Sequence, residues 1–441
     1  DGRPTYTIYT ARGLAWVACV VNNYYDKNKT PFNKDEEYYP SSCNFANCNI
    51  QLANDISLAK PSKGVSDNFD YHWIPIGENY GSLPPIFSGN FDGKGHTISN
   101  LNVLRALEQE IKTAGLIGYA NCGSIEDEFL SIKNLNVTGS SVKGQEMVGG
   151  IVGYGVNVQI TCCSSQIGEI SKSNTSGNTF LGGIAGSLTK GEITNCWSSG
   201  KVSCEAFSNG GSYGGGIVGN ARESTISDSY STATVIATGA GGIAGDLGAY
   251  TTIKNCLALN TGGIVGYSDR GRIWARANSE YPVIAADNYA SVLVKLYTIT
   301  PDDQKEEKNI ESEAYNGEKC TYKQLDALFG SNTNFTFDGN YLPQLNATID
   351  KTQLAVNTYL GSKNITNSVG DKLIVQKAEI PGEEVEIVDN PNDWYKVTGV
   401  TLSGATLSNT DGRYTFTMPD NDVTVSECSI VEMDTWEKYG M

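Results

Sequence analysis

A glycine-rich unit written twice in succession limits what this chain can fold into. Gly182-Gly183-Ile184-Ala185-Gly186 returns as Gly215-Gly216-Ile217-Val218-Gly219, and each copy leads into an Ile-x-Asn/Asp step, Ile193-Thr194-Asn195 and Ile226-Ser227-Asp228, both at an offset of 33 residues. Four further copies flank the pair: Gly115-Leu116-Ile117-Gly118, Gly150-Ile151-Val152-Gly153, Gly242-Ile243-Ala244-Gly245 and Gly263-Ile264-Val265-Gly266. The last glycines of the six copies are spaced by 35, 33, 33, 26 and 21 residues, and a second series, Ile132, Ile160, Ile193, Ile226 and Ile253, keeps step with them. A short unit that cannot bury its own apolar side must stack on its neighbours, which makes the chain a solenoid.

Residue types decide what the solenoid is made of. The repeats are rich in Gly, Ser, Thr, Asn, Val and Ile, in runs too short for helices but suited to strands of about 3 to 5 residues. A helical repeat needs leucine and alanine at helical spacing, and they are missing. The expected fold is therefore all-β, a right-handed parallel β-helix. Gly183-Ile184-Ala185, Ile193-Thr194-Asn195-Cys196 and Lys201-Val202-Ser203 supply three strands per coil, with Gly186, Gly191 and Gly200 at corners that tolerate positive φ. Coils stack about 4.8 Å apart, so like residues form ladders. Ile184, Ile217, Ile243 and Ile264 are expected in one, and Cys163, Cys196, Ser229 and Cys256 in another.

The Gly-Gly-Ile-Val-Gly pattern, together with Phe87-Ser88-Gly89-Asn90-Phe91-Asp92-Gly93-Lys94-Gly95-His96-Thr97-Ile98-Ser99-Asn100-Leu101, resembles the GLUG-motif surface proteins of gut-dwelling Gram-negative anaerobes. Ala53-Asn54-Asp55-Ile56-Ser57-Leu58, Trp73-Ile74-Pro75-Ile76-Gly77 and Ala258-Leu259-Asn260 extend the likeness over roughly residues 5 to 347. The resemblance implies a β-helix displayed on the outer-membrane exterior and acting as an adhesin. Further on, Tyr414-Thr415-Phe416-Thr417-Met418-Pro419-Asp420-Asn421-Asp422-Val423-Thr424-Val425 is similar to the closing strands of internalin-type B-repeat modules, which implies a spacer.

Bulk properties exclude several functions. A net charge of −17 argues against nucleic acid, whose phosphates need clustered Lys and Arg, and against anionic membrane surfaces. No stretch approaches 18 consecutive apolar residues, so no transmembrane segment is expected. The polar opening Asp1-Gly2-Arg3-Pro4 reads as a mature chain whose export signal, with a lipid anchor, has been removed. The chain is expected to be monomeric. Among the 11 cysteines, Cys163, Cys196 and Cys256 read as small fillers inside the coil, while Cys43 and Cys48, in a polar loop, are the candidate disulfide.

Four segments are expected: an N-terminal cap and loop over 1–47, with a helix near Arg12 to Val21; the β-helix over 48–295; a closing segment over 296–350, with a short helix near Tyr322 to Phe329; and a small β-sandwich-like module over 351–441, where period-two strands such as Glu384-Val385-Glu386-Ile387-Val388 replace the glycine repeat. Insertions at Ser171 to Asn178 and Ser203 to Gly214 leave one corner of the coil and vanish toward its C-terminal end.

Catalytic chemistry is hard to find. The two histidines, His72 and His96, lie in no H-E-x-x-H, and neither a nucleophile elbow nor a phosphate loop occurs in a strand-turn-helix setting. No metal or cofactor is expected. A polysaccharide lyase or glycoside hydrolase is the alternative, with Asp228 and Asp246 beside Arg222, or Asp269 beside Arg270, Arg272 and Arg276, as its candidate groups. Asp228, however, takes the place of Asn134, Asn195 and Asn255 in the repeat, where a corner hydrogen bond explains it. The expectation is therefore a non-enzymatic binding protein for an extracellular glycan or protein, with a passive scaffold as the remaining reading. Tyr24, Tyr25 and Tyr213 are the candidate ligand-binding residues, and Trp197, Tyr230 and Trp274 are further surface aromatics of the same kind.

Overall fold

The structure is a computed structural model that describes residues 2–22, 43–59, 72–78, 84–104, 111–123, 128–173, 177–204, 211–277, 281–299, 304–309, 314–345, 355–390, 395–410 and 412–432. Tyr24, Tyr25 and most of the tyrosine-rich loop fall outside the described residues. The chain forms two compact units, one of residues 1–290, 294–318 and 345–347, the other of 291–293, 319–344 and 348–441.

The first unit is an all-β parallel β-helix. Three sheets run along it, of nine, seventeen and six strands among the described residues, called here sheets 1, 2 and 3 and parallel except at the C-terminal end of sheet 2. One coil shows how the sequence makes them. Thr179–Gly182 lies in sheet 2, Ala185–Thr189 in sheet 3, Glu192–Thr194 in sheet 1 and Trp197–Ser203 again in sheet 2. There are thus four strand segments per coil where the sequence suggests three. Ile184 stands in the bend between two of them, its amide donating to the Ile217 carbonyl at 2.9 Å.

The corners also differ from expectation. Gly200 has positive φ (101°), but Gly186 and Gly191 do not; the left-handed corner residues are Lys190 (50°) and Asn195 (53°). The second recurs in six successive coils as Asn134, Cys162, Asn195, Asp228, Asn255 and Asp287, all between 50° and 53°. Short polar side chains suit it because they bond locally in that conformation. Asn255 Nδ2, for example, donates to Asp228 Oδ1 at 3.0 Å.

Inside, like residues stack in register. Ile50, Phe91, Ile132, Ile160, Ile193, Ile226 and Ile253 form one row along sheet 1, each fully shielded from solvent. Cys163, Cys196 and Cys256 are buried free thiols that share a row with Ser229; each donates its S–H to the carbonyl two residues back, at 3.2 to 3.3 Å, as the Ser229 hydroxyl does at 2.7 Å. Burial pushes the Cys256 thiol up to about 12 and Cys196 well above its ordinary range. Cys43 and Cys48 are unbonded, which corrects the expected disulfide: Cys43 Sγ accepts from the Phe45 amide and Cys48 Sγ donates to the Ala46 carbonyl.

At the N-terminal end Thr5–Ile8 is the first rung of sheet 1, paired with Asn49–Leu52. Helix α1 (Ala11–Asn22) follows and buries Leu14, Val17, Val20 and Val21 in the coil's apolar core. Asn22 fixes its end, donating to the Pro75 carbonyl and accepting from the Gly77 and Glu78 amides at 2.9 to 3.0 Å.

The second unit holds helices α2 (Tyr322–Phe329) and α3 (Val356–Leu360) and two four-stranded sheets, which share a core of Ile365, Val385, Ile387, Phe416, Val423 and Val425 among others. A buried carboxylate, Glu379, accepts from the Tyr322 amide at the start of α2, from the Ile380 amide and from Gln376 Nε2, each at 2.8 Å, so its burial is matched by hydrogen bonds.

Candidate binding crease

Sheets 2 and 3 meet in a re-entrant corner, and glycine makes it narrow. A Cβ on Gly186 would run into the Val148 backbone nitrogen of the preceding coil, and one on Gly219 into that of Leu181. The strands can close on each other only because this row, Gly118, Gly153, Gly186, Gly219 and Gly245, carries no side chains. The flanking rows carry the chemistry. Along sheet 3, Tyr119, Tyr154, Ser187, Asn220, Asp246 and Arg276 stand one above another. Facing them on sheet 2 are Met147, Phe180, Tyr213, Gly239 and Asp269.

One end of the crease is aromatic. Tyr119 and Tyr154 stack with centroids 5.1 Å apart at 19°, and Phe180 and Tyr213 at 6.0 Å and 23°, all partly exposed. Gly239 lets the Tyr213 ring lie across the next coil, since a Cβ there would sit 2.6 Å from Tyr213 Cδ1.

The other end is polar and tightly bonded. Ser187 Oγ donates to Asn220 Oδ1 at 3.2 Å, Asn220 Nδ2 to Asp246 Oδ2 at 3.4 Å, and Arg276 forks onto Asp246 through Nε and Nη2 at 3.0 and 2.9 Å. Arg276 Nη1 also reaches the Tyr213 hydroxyl at 2.5 Å, with the guanidinium carbon 4.1 Å from that ring's centroid. Burial raises the Tyr213 hydroxyl's pKa, Arg276 opposes it, and the Asp246 and Asp269 charges add to it. The hydrogen bond to Asp246 raises that of Arg276. Tyr213 is thus a neutral hydroxyl held between a cation and two carboxylates.

Of the residues singled out from the sequence, Tyr213, Asp246, Asp269 and Arg276 come together here. Asp228 does not join them: it lies at the corner after sheet 1, bonded to Asn255, and Arg222 pairs with Glu223 at 3.3 Å. Trp197 and Tyr230 are not surface aromatics. They stack on each other at 5.7 Å and 6°, fully buried, and Trp274 is buried in the core. Ile184, Ile217 and Ile243 follow one another through backbone hydrogen bonds, but the next in that row is Ile273; Ile264 stands in another row, between Val235 and Leu296. Tyr119, Tyr154 and Phe180 carry no signal in the glycine series itself, although the first two directly follow a repeat glycine, Phe180 lies two residues before one, and aligning the copies brings all three out.

No family model matches the sequence, and neither does any curated protein. Among solved structures, a crystal structure from Bacteroides ovatus described as a putative immunoglobulin A1 protease aligns with 78% of this chain and 93% of its own, at 20% identity and a TM-score of 0.46. That description names an enzyme, which overturns the expectation of a chain without enzymatic activity; no residue role is carried across from it. Among the described residues no helix is long and apolar enough to cross a membrane.

Proposed function

We propose that this chain is an extracellular binding protein that takes an extended glycan along the crease between sheets 2 and 3, in keeping with its resemblance to GLUG-motif surface proteins. The aromatic rows carry the reading. Partly exposed rings stacked in register line the crease with an apolar surface against which the C–H groups of successive sugar rings can pack, and the Asn220, Asp246 and Arg276 side chains beside them offer planar, fixed hydrogen-bonding groups to hydroxyls. Bonded to each other beforehand, those polar groups lose little freedom when a ligand arrives.

Titration calorimetry with soluble neutral oligosaccharides tests this, with new reducing ends assayed in the same samples so that turnover of the bound chain is recorded. Phe180→Ala and Tyr213→Ala should each weaken binding by about tenfold, the equivalent of roughly 1.4 kcal/mol. Equal affinities for the wild type and both variants would sink the crease as the binding surface. Saturable binding of a protein ligand in place of any oligosaccharide would replace the glycan reading.

A further inference from the structure

The crease ends at a cavity of about 330 Å³, lined among others by Asp269, Arg270, Ala275, Lys308, Tyr315 and Asn316. Three departures from the repeat make it. Ala275 stands where every earlier coil has glycine, so the last coil cannot close as the others do. Past it the parallel stacking stops: Leu296–Ile299 is covered by the antiparallel strand Lys305–Lys308, and the turn Ala314–Asn316 lies over the final corner, with the Ile273 amide donating to the Tyr315 carbonyl at 2.9 Å. The third departure is Arg270. Its row reads Ala114, Val148, Leu181, Gly214 and Ala240, apolar and buried in every earlier coil, and only here does it hold a charge.

Asp269 accepts from the Ser268 hydroxyl at 2.9 Å, and Lys308 is paired with Glu306 at 2.8 Å. Among the described residues no hydrogen bond or ion pair engages the Arg270 side chain, whose backbone pairs with Ala240 in the sheet. A half-buried Arg fork with five donors and no acceptor among the described residues is shaped for a carboxylate.

Resting on the glycan reading above, we propose that this cavity is an end subsite that receives a terminal carboxylated sugar, with Arg270 binding the carboxylate and the crease holding the units behind it. The volume lies at the low end of ligand pockets, roughly 300–1,000 Å³, which suits one terminal ring rather than a run of them. Specificity is thereby divided: the aromatic rows accept a chain, and the cavity reads its acidic end.

The test uses oligosaccharides ending in glucuronic acid or in sialic acid, each beside its methyl ester, titrated into the full chain. One acid should bind at least about tenfold tighter than its own ester, as one charge-assisted fork contributes. Arg270→Gln should bring acid and ester to the same affinity, with the larger loss on the acid. Equal binding of acid and ester to the wild type, or a preference that survives Arg270→Gln, overturns the end subsite and leaves the crease standing. Failure of both forms to bind would overturn the crease reading itself.

Discussion

The middle coils and the last one are built from the same rows, and they differ only where a row is broken. Between Thr179 and Ser231 each position repeats: glycine closes the crease, isoleucine fills the core, and a left-handed polar residue turns the corner. In the last coil Ala275 replaces the closing glycine, Arg270 replaces an apolar residue, and Arg272 stands where Gly183, Gly216 and Gly242 stood, with Nη2 donating to the Gly317 carbonyl at 3.1 Å. Regular rows give the fold, and the broken ones gather the free charge and the cavity. Geometry is general along this molecule, whereas chemistry is local.

The sharpest way to break the comparison is to break a regular row. Ile217→Asp places an unpaired charge in a fully buried position between Ile184 and Ile243, and should cost about 4–5 kcal/mol or more. Thermal melting followed by far-ultraviolet circular dichroism checks this, and an unchanged Tm would contradict the stacking of these coils.

A matched pair of substitutions sharpens the contrast between coils. Gly219→Ala pushes a methyl group into the Leu181 backbone and should cost about 1–3 kcal/mol, whereas Ala275→Gly, in the same row where the crease has opened, should cost less than about 1 kcal/mol. Chemical denaturation of the two variants decides it; similar losses would mean that the last coil is as tightly closed as the rest.

The smallest expected effect concerns the other end. There the corner needs two left-handed residues, Lys94 (55°) and Gly95 (82°), where later coils need one. Asp92 holds that turn, accepting from the Lys94 amide at 2.9 Å and from Asn134 Nδ2 at 3.2 Å, with Lys94 Nζ 3.2 Å away. Burial alone would raise its pKa, but these three contacts outweigh burial and hold it below its ordinary value. A carboxylate with a depressed folded pKa stabilises above its unfolded value of about 3.9 and loses that contribution as pH falls through the folded one. The stability difference between wild type and Asp92→Asn should therefore shrink between about pH 6 and about pH 3. A difference constant across that range would show that the carboxylate's charge does not support the turn.

Much of the fold was legible because the isoleucine and glycine series are locked in phase, and phase is what stacking requires. The number of segments per coil was not, because Gly183 and Ile184 form a bend inside what reads as one strand, Gly183-Ile184-Ala185. Nor was the last coil. Gly263-Ile264-Val265-Gly266 imitates the repeat so closely that it hides the true equivalent, Gly271-Arg272-Ile273-Trp274, in which only the first glycine survives. The interval of 21 residues was the available warning, since the aligned residues Ala244 and Trp274 are 30 apart. Trp197 and Tyr230 misled for a different reason: outward alternation along a strand does not reveal what covers it. Tyr213 was legible as an aromatic, but its partners were not, because Arg276 and Asp246 reach it only through register.

The glycine row has a consequence for how such a surface can change. A groove closed by contact between main chains cannot be widened by exchanging side chains, because every larger residue in that row meets backbone. Its length is easier to alter, since each added coil extends it by about 4.8 Å without disturbing the others. On the reading proposed above the molecule would act as a ruler of fixed gauge: whole-coil duplication would set how much of a polymer it spans, and a handful of positions at one end would set which polymer terminus it stops on.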